Sequence, residues 1–248
     1  MTEREPRIYF PAPLRAEGRY TLTGDQHHYL ARVLRLKAGS DLTVFDGRGG
    51  EYPAVIEEVQ RTSSTLRTGE FRDTDNESPL SLRLAQGVGR GERTDIAIQK
   101  AVELGVTSIV PLLTRRGVVR LDPNRAERRL AHWQGIVVHA CQQCGRNRIP
   151  PLHAVIPLSE WLQDYQSDGP DLMLDPEATG GIGELEYDGG TITLLVGPEG
   201  GLDTAERDAA LAAGFRGMSL GPRILRTETA AIAAVTAVQS RWGDLHYR

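Results

Sequence analysis

Glycine, proline, arginine and carboxylate residues crowd into two short segments near the end of the chain, at a spacing that suits ligand binding. An apolar run, Thr191 to Val196, stops at Gly197-Pro198-Glu199-Gly200-Gly201. A second, Met218 to Leu220, stops at Gly221-Pro222 and continues through Arg223, Ile224, Leu225, Arg226, Thr227, Glu228 and Thr229. Glycines let backbone approach a ligand closely, and proline stiffens the loop that carries them. Each apolar run reads as a strand, and open α/β sheets bind ligands at the carboxyl ends of their strands. Either loop alone is an ordinary strand-to-helix turn. Two together, with this density of charge, favour a site.

Other segments carry weaker signals. Gly87-Val-Gly-Arg-Gly91 follows a strand-like run, as a dinucleotide fingerprint would, but Glu92 stands where the third glycine belongs. A flexible turn with Arg90 and Arg93 exposed is the simpler reading. Cys141 and Cys144 fall in register with Leu130, Trp133 and Val137 on one helical stripe, so two packed thiols are expected and no metal. His27-His28 lies beside Arg32 and Arg35, a cluster for phosphate or a solvated face. From Arg115 to Arg148 there are eight arginines against Asp122 and Glu127. Arginine's planar fork matches phosphate oxygens. Gln142-Gln143-Cys144-Gly145-Arg146 adds amides that read RNA or cap a helix. The net charge of −4 argues against nucleic acid only if taken globally.

The elements that must position these groups fall into two parts. Residues 1 to 72 read as mostly β, with strands at Arg7–Phe10, Tyr20–Thr23, Leu42–Phe45, Tyr52–Val59 and Thr65–Phe71. Asp46-Gly47 sits at the turn of a hairpin. One short helix is expected from Asp25 to Arg35. Asp73 to Pro79 is polar and reads as a linker. Thereafter strands alternate with helices, which implies a mostly parallel sheet. The strands are Leu80–Ala85, Val106–Leu112, Leu172–Leu174 and the two runs above; the helices are Thr94–Leu104, Asp122–Cys144, Asp203–Ala213 and Thr229–Trp242. Ala230 to Val238 is apolar on nearly every side, so that helix should be covered on both faces, the second by another layer or a second subunit. No apolar run approaches the ~20 residues of a membrane span. Two cysteines and no export signal point to the cytoplasm.

Leu195-Val-Gly-Pro-Glu-Gly-Gly-Leu202 and Leu220-Gly-Pro-Arg-Ile-Leu-Arg-Thr-Glu-Thr-Ala230 resemble the paired signatures of RsmE-type 16S ribosomal RNA uridine N3-methyltransferases, of the SPOUT (trefoil-knot) superfamily. Gln99-Lys100-Ala-Val-Glu103-Leu-Gly105, Ala140-Cys-Gln-Gln143-Cys-Gly-Arg146 and His27-His28-Tyr-Leu-Ala-Arg-Val-Leu-Arg35 resemble further segments of that family, so the likeness spans the chain. The resemblance implies a small PUA-like β-barrel over residues 1–72. It implies a knotted α/β methyltransferase domain over 77–248, with helices on both faces of its sheet. It implies S-adenosylmethionine as cofactor, 16S RNA or the small subunit as partner, and a homodimer. Leu172, Leu174, Val196, Gly197, Pro198, Glu199, Gly200, Gly201, Leu220, Gly221, Ile224, Leu225, Arg226 and Thr227 would then bind the cofactor, with N–H groups of Gly201, Leu220 and Leu225 on its adenine and ribose. Arg226 and Glu228 would be catalytic, with Glu199 shaping the cofactor loop. Arg7, His28, Arg32, Arg35, Arg115, Arg116, Gln143 and Arg146 would contact RNA. A non-catalytic RNA-binding or ribosome-assembly module, or a knotted methyltransferase for another RNA position, are the competing readings.

Overall fold

The computed structural model describes residues 5–117 and 122–245; Arg120, one member of the basic run, lies outside them. The chain divides into two compact units, Met1–Glu77 with Cys141–Ile149, and Ser78–Ala140 with Pro150–Arg248.

The first unit is a curled five-stranded sheet. Its strands are β1 (Arg7–Tyr9), β2 (Arg19–Thr23), β3 (Asp41–Phe45), β4 (Tyr52–Val59) and β5 (Ser63–Thr68), in the order β1-β3-β4-β5-β2. All neighbours are antiparallel except β1 with β3. Alternation selects the core: Ala54 and Ile56 of β4 are buried while Val55 and Glu57 face out. They join Ile8, Leu22, Leu30, Leu42, Val44 and Leu66 in one apolar cluster. The expected hairpin forms, and the Asp46 carboxylate accepts the N–H groups of Arg48 and Leu14 to hold it. The expected short helix is broken in two. Helix α1 (Gly24–His28) passes into a π-helical turn, Tyr29–Val33, closed by the Leu34 N–H donating to the Tyr29 carbonyl. Arg35 then adopts φ of 54°. The wide turn buries Leu30 and leaves Arg32, Val33 and Arg35 exposed.

The second unit is a six-stranded, wholly parallel sheet. Its strands are β6 (Leu82–Gly87), β7 (Ser108–Leu113), β8 (Ile156–Pro157), β9 (Asp171–Leu174), β10 (Ile192–Val196) and β11 (Arg216–Met218), in the order β11-β9-β10-β6-β7-β8. Strand β10 is buried at every residue, as a strand covered on both faces must be. Ala85, Val110, Met173 and Leu195 meet Leu158 of α4 (Leu158–Gln163) and Ala210 of α5 (Thr204–Ala212) on one face. On the other, α6 (Thr227–Trp242) packs against β10 and against α2 (Arg93–Glu103).

Helix α3 runs Pro123–Cys144, with the Asp122 carboxylate accepting the Arg125 N–H at 2.9 Å, as an N-cap should. Helix α5 starts with a capping box, Asp203 against Glu206. Helix α6 buries Thr227, Ala231, Ala234, Val235 and Val238, while Ile232, Ala233, Thr236 and Ala237 are only half-buried. β8 and α4 have no counterpart in the sequence reading, because two strand residues and six helical ones are too short to give a period.

Candidate functional site

Parallel pairing brings the carboxyl ends of β11, β9, β10 and β6 to one edge. Four loops therefore converge there: 88–92, 175–181, 197–203 and 219–226. The first two were not expected to matter, yet they build the edge. A Cβ on Gly87 would lie 2.6 Å from the Pro198 nitrogen, and one on Gly89 would lie 2.8 Å from the Glu199 carboxylate. The glycines thus let the 88–92 loop press against the 197–203 loop. Glu199 spans the junction, accepting the Arg90 N–H at 2.9 Å and pairing with Arg93 at 3.3 Å. The Thr94 hydroxyl accepts the Gly89 N–H. This is a fixed turn, not a flexible one, and Arg93 is bound in it. The visible sign was glycine at both 87 and 89 directly after a strand.

On the far side, Arg207 of α5 pairs with Asp175 and Glu177, and the Asp175 N–H donates to the Met218 carbonyl. Hydrogen bonding to Arg207 holds the Glu177 carboxyl below its ordinary range. The Ser219 N–H donates to the Gly180 carbonyl, so the loops after β9 and β11 are also joined.

Within this frame Leu172 and Val196 are buried, and Leu174 is half-buried. Gly201 (φ 66°) and Gly221 (φ 91°) open outward: a Cβ on either would meet no protein atom within 4 Å. The Gly201 N–H is not available to a ligand, since it donates to the Pro198 carbonyl at 2.8 Å. Among the described residues the N–H groups of Leu220, Ile224 and Leu225 have no partner. The Thr227 hydroxyl donates to the Gly197 carbonyl at 2.6 Å and joins the two glycine-proline loops. Ile224 is 87% exposed. Arg226 is exposed at the N-cap of α6 and has no ion-pair partner among the described residues. Glu228, two residues on, is half-buried, and its Oε2 is buried without a hydrogen-bond partner.

Known proteins match the chain along its whole length. The RNA methyltransferase domain family matches residues 76–239, and the RNA methyltransferase PUA domain family matches residues 22–68. The ribosomal RNA small subunit methyltransferase E of Buchnera aphidicola (subsp. Schizaphis graminum) is 34% identical over 245 residues, 99% of this chain and 100% of the relative. The chain belongs to this family. The Bacillus subtilis member is 28% identical and is matched over 89% of its length and 88% of this chain. The crystal structure of the family member from Neisseria gonorrhoeae, bound to S-adenosyl methionine, superposes with a TM-score of 0.91 at 38% identity, covering 98% of this chain and 100% of that one. A methyltransferase from Legionella pneumophila, in complex with bound SAM, gives 0.94 at 36% identity with the same coverage. The whole-chain resemblance stated from the sequence motifs therefore holds.

Family membership does not make every arginine an RNA ligand, and two of the expected residues are held in internal ion pairs. Arg7 pairs with Glu51 and also donates to the Asn147 side chain; its side chain is 10% exposed. Arg146 donates to Glu77 through both Nε and Nη2 and is 5% exposed. Both guanidiniums are held by carboxylates within the first unit, with Arg7 Nε left without a partner among the described residues. Asn147 completes the cluster, donating to Glu51 and to the Thr74 carbonyl. Burial raises the Glu51 carboxyl, but the Arg7 hydrogen bond and charge, with Asn147 and Thr74, leave it below its ordinary range. Glu77 and Thr74 come from the stretch that read as a free linker; they are anchors.

The remaining expected RNA residues divide by surroundings. His28, Arg32, Arg35 and Gln143 are exposed. Arg32 and Arg35 have no ion-pair partner among the described residues. His27, by contrast, is buried, its Nδ1 2.8 Å from the Ser64 hydroxyl. Arg115 and Arg116 lie beside the glycine loop: Arg115 pairs with Asp203 at 3.5 Å, and Arg116 donates to the Gly200 carbonyl at 3.3 Å. The Cys141 thiol is buried, and burial pushes it up to about 12, so it packs as an apolar group.

Proposed function

We propose that the chain transfers a methyl group from S-adenosylmethionine to N3 of a uridine in 16S ribosomal RNA of the small subunit, as a cytoplasmic homodimer. The observation that supports it best is the first turn of α6. There an exposed Arg226, with no ion-pair partner among the described residues, stands two residues from Glu228, whose buried Oε2 has no partner among them either.

The residues present fit the cofactor. Gly201 and Gly221 leave open space, and Leu220, Ile224 and Leu225 offer unpartnered N–H groups. Leu172 and Val196, buried, and Leu174, half-buried, lie on the adjacent strands β9 and β10 that lead to this edge. When bound, S-adenosylmethionine supplies an electrophilic methyl on a sulfonium. Uridine N3 carries a proton and is a poor nucleophile. Glu228 would accept that proton as general base, leaving the N3 lone pair to take the methyl as the cofactor's S–CH3 bond breaks and its sulfonium becomes a neutral thioether. The negative charge that spreads over O2 and O4 is held by the Arg226 guanidinium, whose donors are already in place. Glu199 does not serve as base in this reading, because Arg90 and Arg93 occupy it.

The dimer rests on the second face of α6. Ile232, Ala233, Thr236 and Ala237 stay half-buried, and Ile224, in the loop before α6, is exposed. A second subunit on that face would finish the burial that the composition of α6 demands. The trefoil knot implied by the resemblance belongs to the same reading.

The test is nucleoside mass spectrometry of small subunits lacking the modification, incubated with the chain and S-adenosylmethionine. 3-Methyluridine at one position is the expected product. RNA binding without transfer would favour the assembly-module reading, and methyl at another atom would favour a different RNA position. A monomer at low micromolar concentration with full activity would remove the dimer.

A further inference from the structure

Gln86 is fully buried at the carboxyl end of β6, in register with Val196 of β10 and Pro111 of β7. Its Nε2 lies 2.9 Å from the Gly87 carbonyl and 2.9 Å from the Thr227 hydroxyl. A carbonyl only accepts, so the amide must present its NH2 group to Gly87, and the side chain cannot be flipped. Both amide hydrogens are then spent, one on Gly87 and one on Thr227. The Thr227 hydroxyl, having accepted, sends its own single hydrogen to the Gly197 carbonyl at 2.6 Å. The order of donation is fixed: Gln86 to Thr227 to Gly197. A hydroxyl that accepts a hydrogen bond donates more strongly, so the two bonds reinforce each other.

The arrangement leaves Gln86 Oε1 buried with no partner. An unpaired buried carbonyl is costly, and an apolar side chain of the same shape would pack at this place without that cost. The amide must therefore do something that packing alone does not need. What it does is join three elements at one point: the end of β6, the turn that follows β10, and the first residue of α6. Thr227 is flanked by Arg226 and Glu228.

We propose that Gln86 is a positioning residue for methyl transfer: through the Thr227 hydroxyl it sets Arg226 and Glu228 against the Gly197 turn. This rests on the reading of the site given above. The relay holds the charged pair of α6 in one register relative to the loop that would carry the methyl donor. A displacement of about 1 Å at this point is enough to lower transfer 100-fold without removing any reacting group.

Four substitutions and one double variant test the relay. Thr227→Val and Gln86→Met keep shape and remove one donor each. Each should lower kcat by about 10- to 100-fold, a larger loss than either causes in cofactor affinity. The double variant should fall no further than the lower single, because both break one chain of bonds. Thr227→Ser keeps the hydroxyl and should restore turnover. Gln86→Glu offers only acceptors when ionised, but its protonated acid can donate to Thr227. Its activity relative to wild type should therefore recover as pH falls, which a merely structural role would not produce. Multiplying losses, an unaffected Thr227→Val, or a Gln86→Glu profile parallel to wild type would each overturn the proposal.

Wild-type protein serves as the control for the underlying reading. If it binds S-adenosylmethionine but transfers no methyl group, the proposed function fails and the relay is judged on hydrogen exchange instead. Amides across residues 197–201 should then exchange faster in Gln86→Met and Thr227→Val, and at the wild-type rate in Thr227→Ser. Unchanged exchange in all three would overturn it.

Discussion

In the first unit Arg7 and Arg146 are sealed against Glu51 and Glu77, with side chains 10% and 5% exposed. At the strand-end loops of the second unit Arg226 stands in solvent, and neither it nor the buried Oε2 of Glu228 has a partner among the described residues. The residue types are the same. What differs is whether the charges satisfy one another. Paired and buried, an arginine and a glutamate hold segments of chain together. Apart and unsatisfied, they are free to act on something that arrives. Arginine content along the sequence cannot separate these uses, whereas the partner of each guanidinium can.

The comparison breaks first at Arg146. Removing one partner of a buried ion pair leaves the other charged and unpaired, at a cost of about 3–5 kcal/mol. Arg146→Ala should therefore lower the stability of the first unit by that amount in a denaturant titration. Residual RNA affinity, scaled to the folded fraction, should be near wild type. A variant of full stability with weakened RNA binding would return Arg146 to the RNA surface.

Arg226 should behave in the opposite way. If it stabilises charge on the base only during transfer, Arg226→Ala should raise the barrier by about 2.7–4 kcal/mol, as loss of one oxyanion-type donor does. The melting temperature and cofactor affinity should not move. Arg226→Lys should restore little, since a point charge does not reproduce the planar fork. Normal turnover in Arg226→Ala would remove it from the mechanism.

Cys141 sharpens the contrast through pH. Its thiol is pushed up to about 12 by burial, above the value near 8.5 of an unfolded cysteine. The folded state thus favours the protonated form. That contribution to stability is complete below pH about 8.5 and is lost as pH rises toward 12, at up to ~1.4 kcal/mol per pH unit. Cys141→Ala should lose this part of the alkaline slope. Native protein at pH 8 should also alkylate at Cys144, which is half-buried, well before Cys141.

Much of this was legible in the sequence. Strand β10 announced itself as an apolar run ended by glycine and proline, whereas the run read at Met218–Leu220 overlaps β11, Arg216–Met218, by one residue; the motif resemblance carried the family. What stayed hidden was pairing between distant residues. Nothing near Arg146 in sequence marks Glu77 as its partner, 69 residues away. Gly87 and Gly89 looked like a failed fingerprint because their purpose, close contact with Pro198 and Glu199, exists only once β6 lies beside β10. Gln86 fell just past the strand read as Leu80–Ala85, and nothing in the sequence singled it out. The π-helical turn was invisible for a different reason: its extra residue is set by burying Leu30 against the sheet, and no local propensity encodes that.

The smallest expected effect concerns the exposed cations of the first unit. Arg32 and Arg35 follow the π-helical turn, stand in solvent, and lack ion-pair partners among the described residues. If each neutralises one phosphate, each releases condensed counterions on binding. The plot of log affinity against log salt should then become shallower by roughly 0.7–0.9 for each arginine removed. Arg32→Ala and Arg35→Ala should act additively on that slope, because each contact is separate. At high salt the affinities should converge on wild type, since the electrostatic part is already screened. Stability should be unchanged, in contrast to Arg146→Ala. The opposite result is informative as well. A slope that stays fixed in the Arg32→Ala, Arg35→Ala double variant would mean these arginines face solvent in the complex. The phosphates would then have to be met elsewhere, with Arg115 and Arg116 beside the glycine loop the next to test.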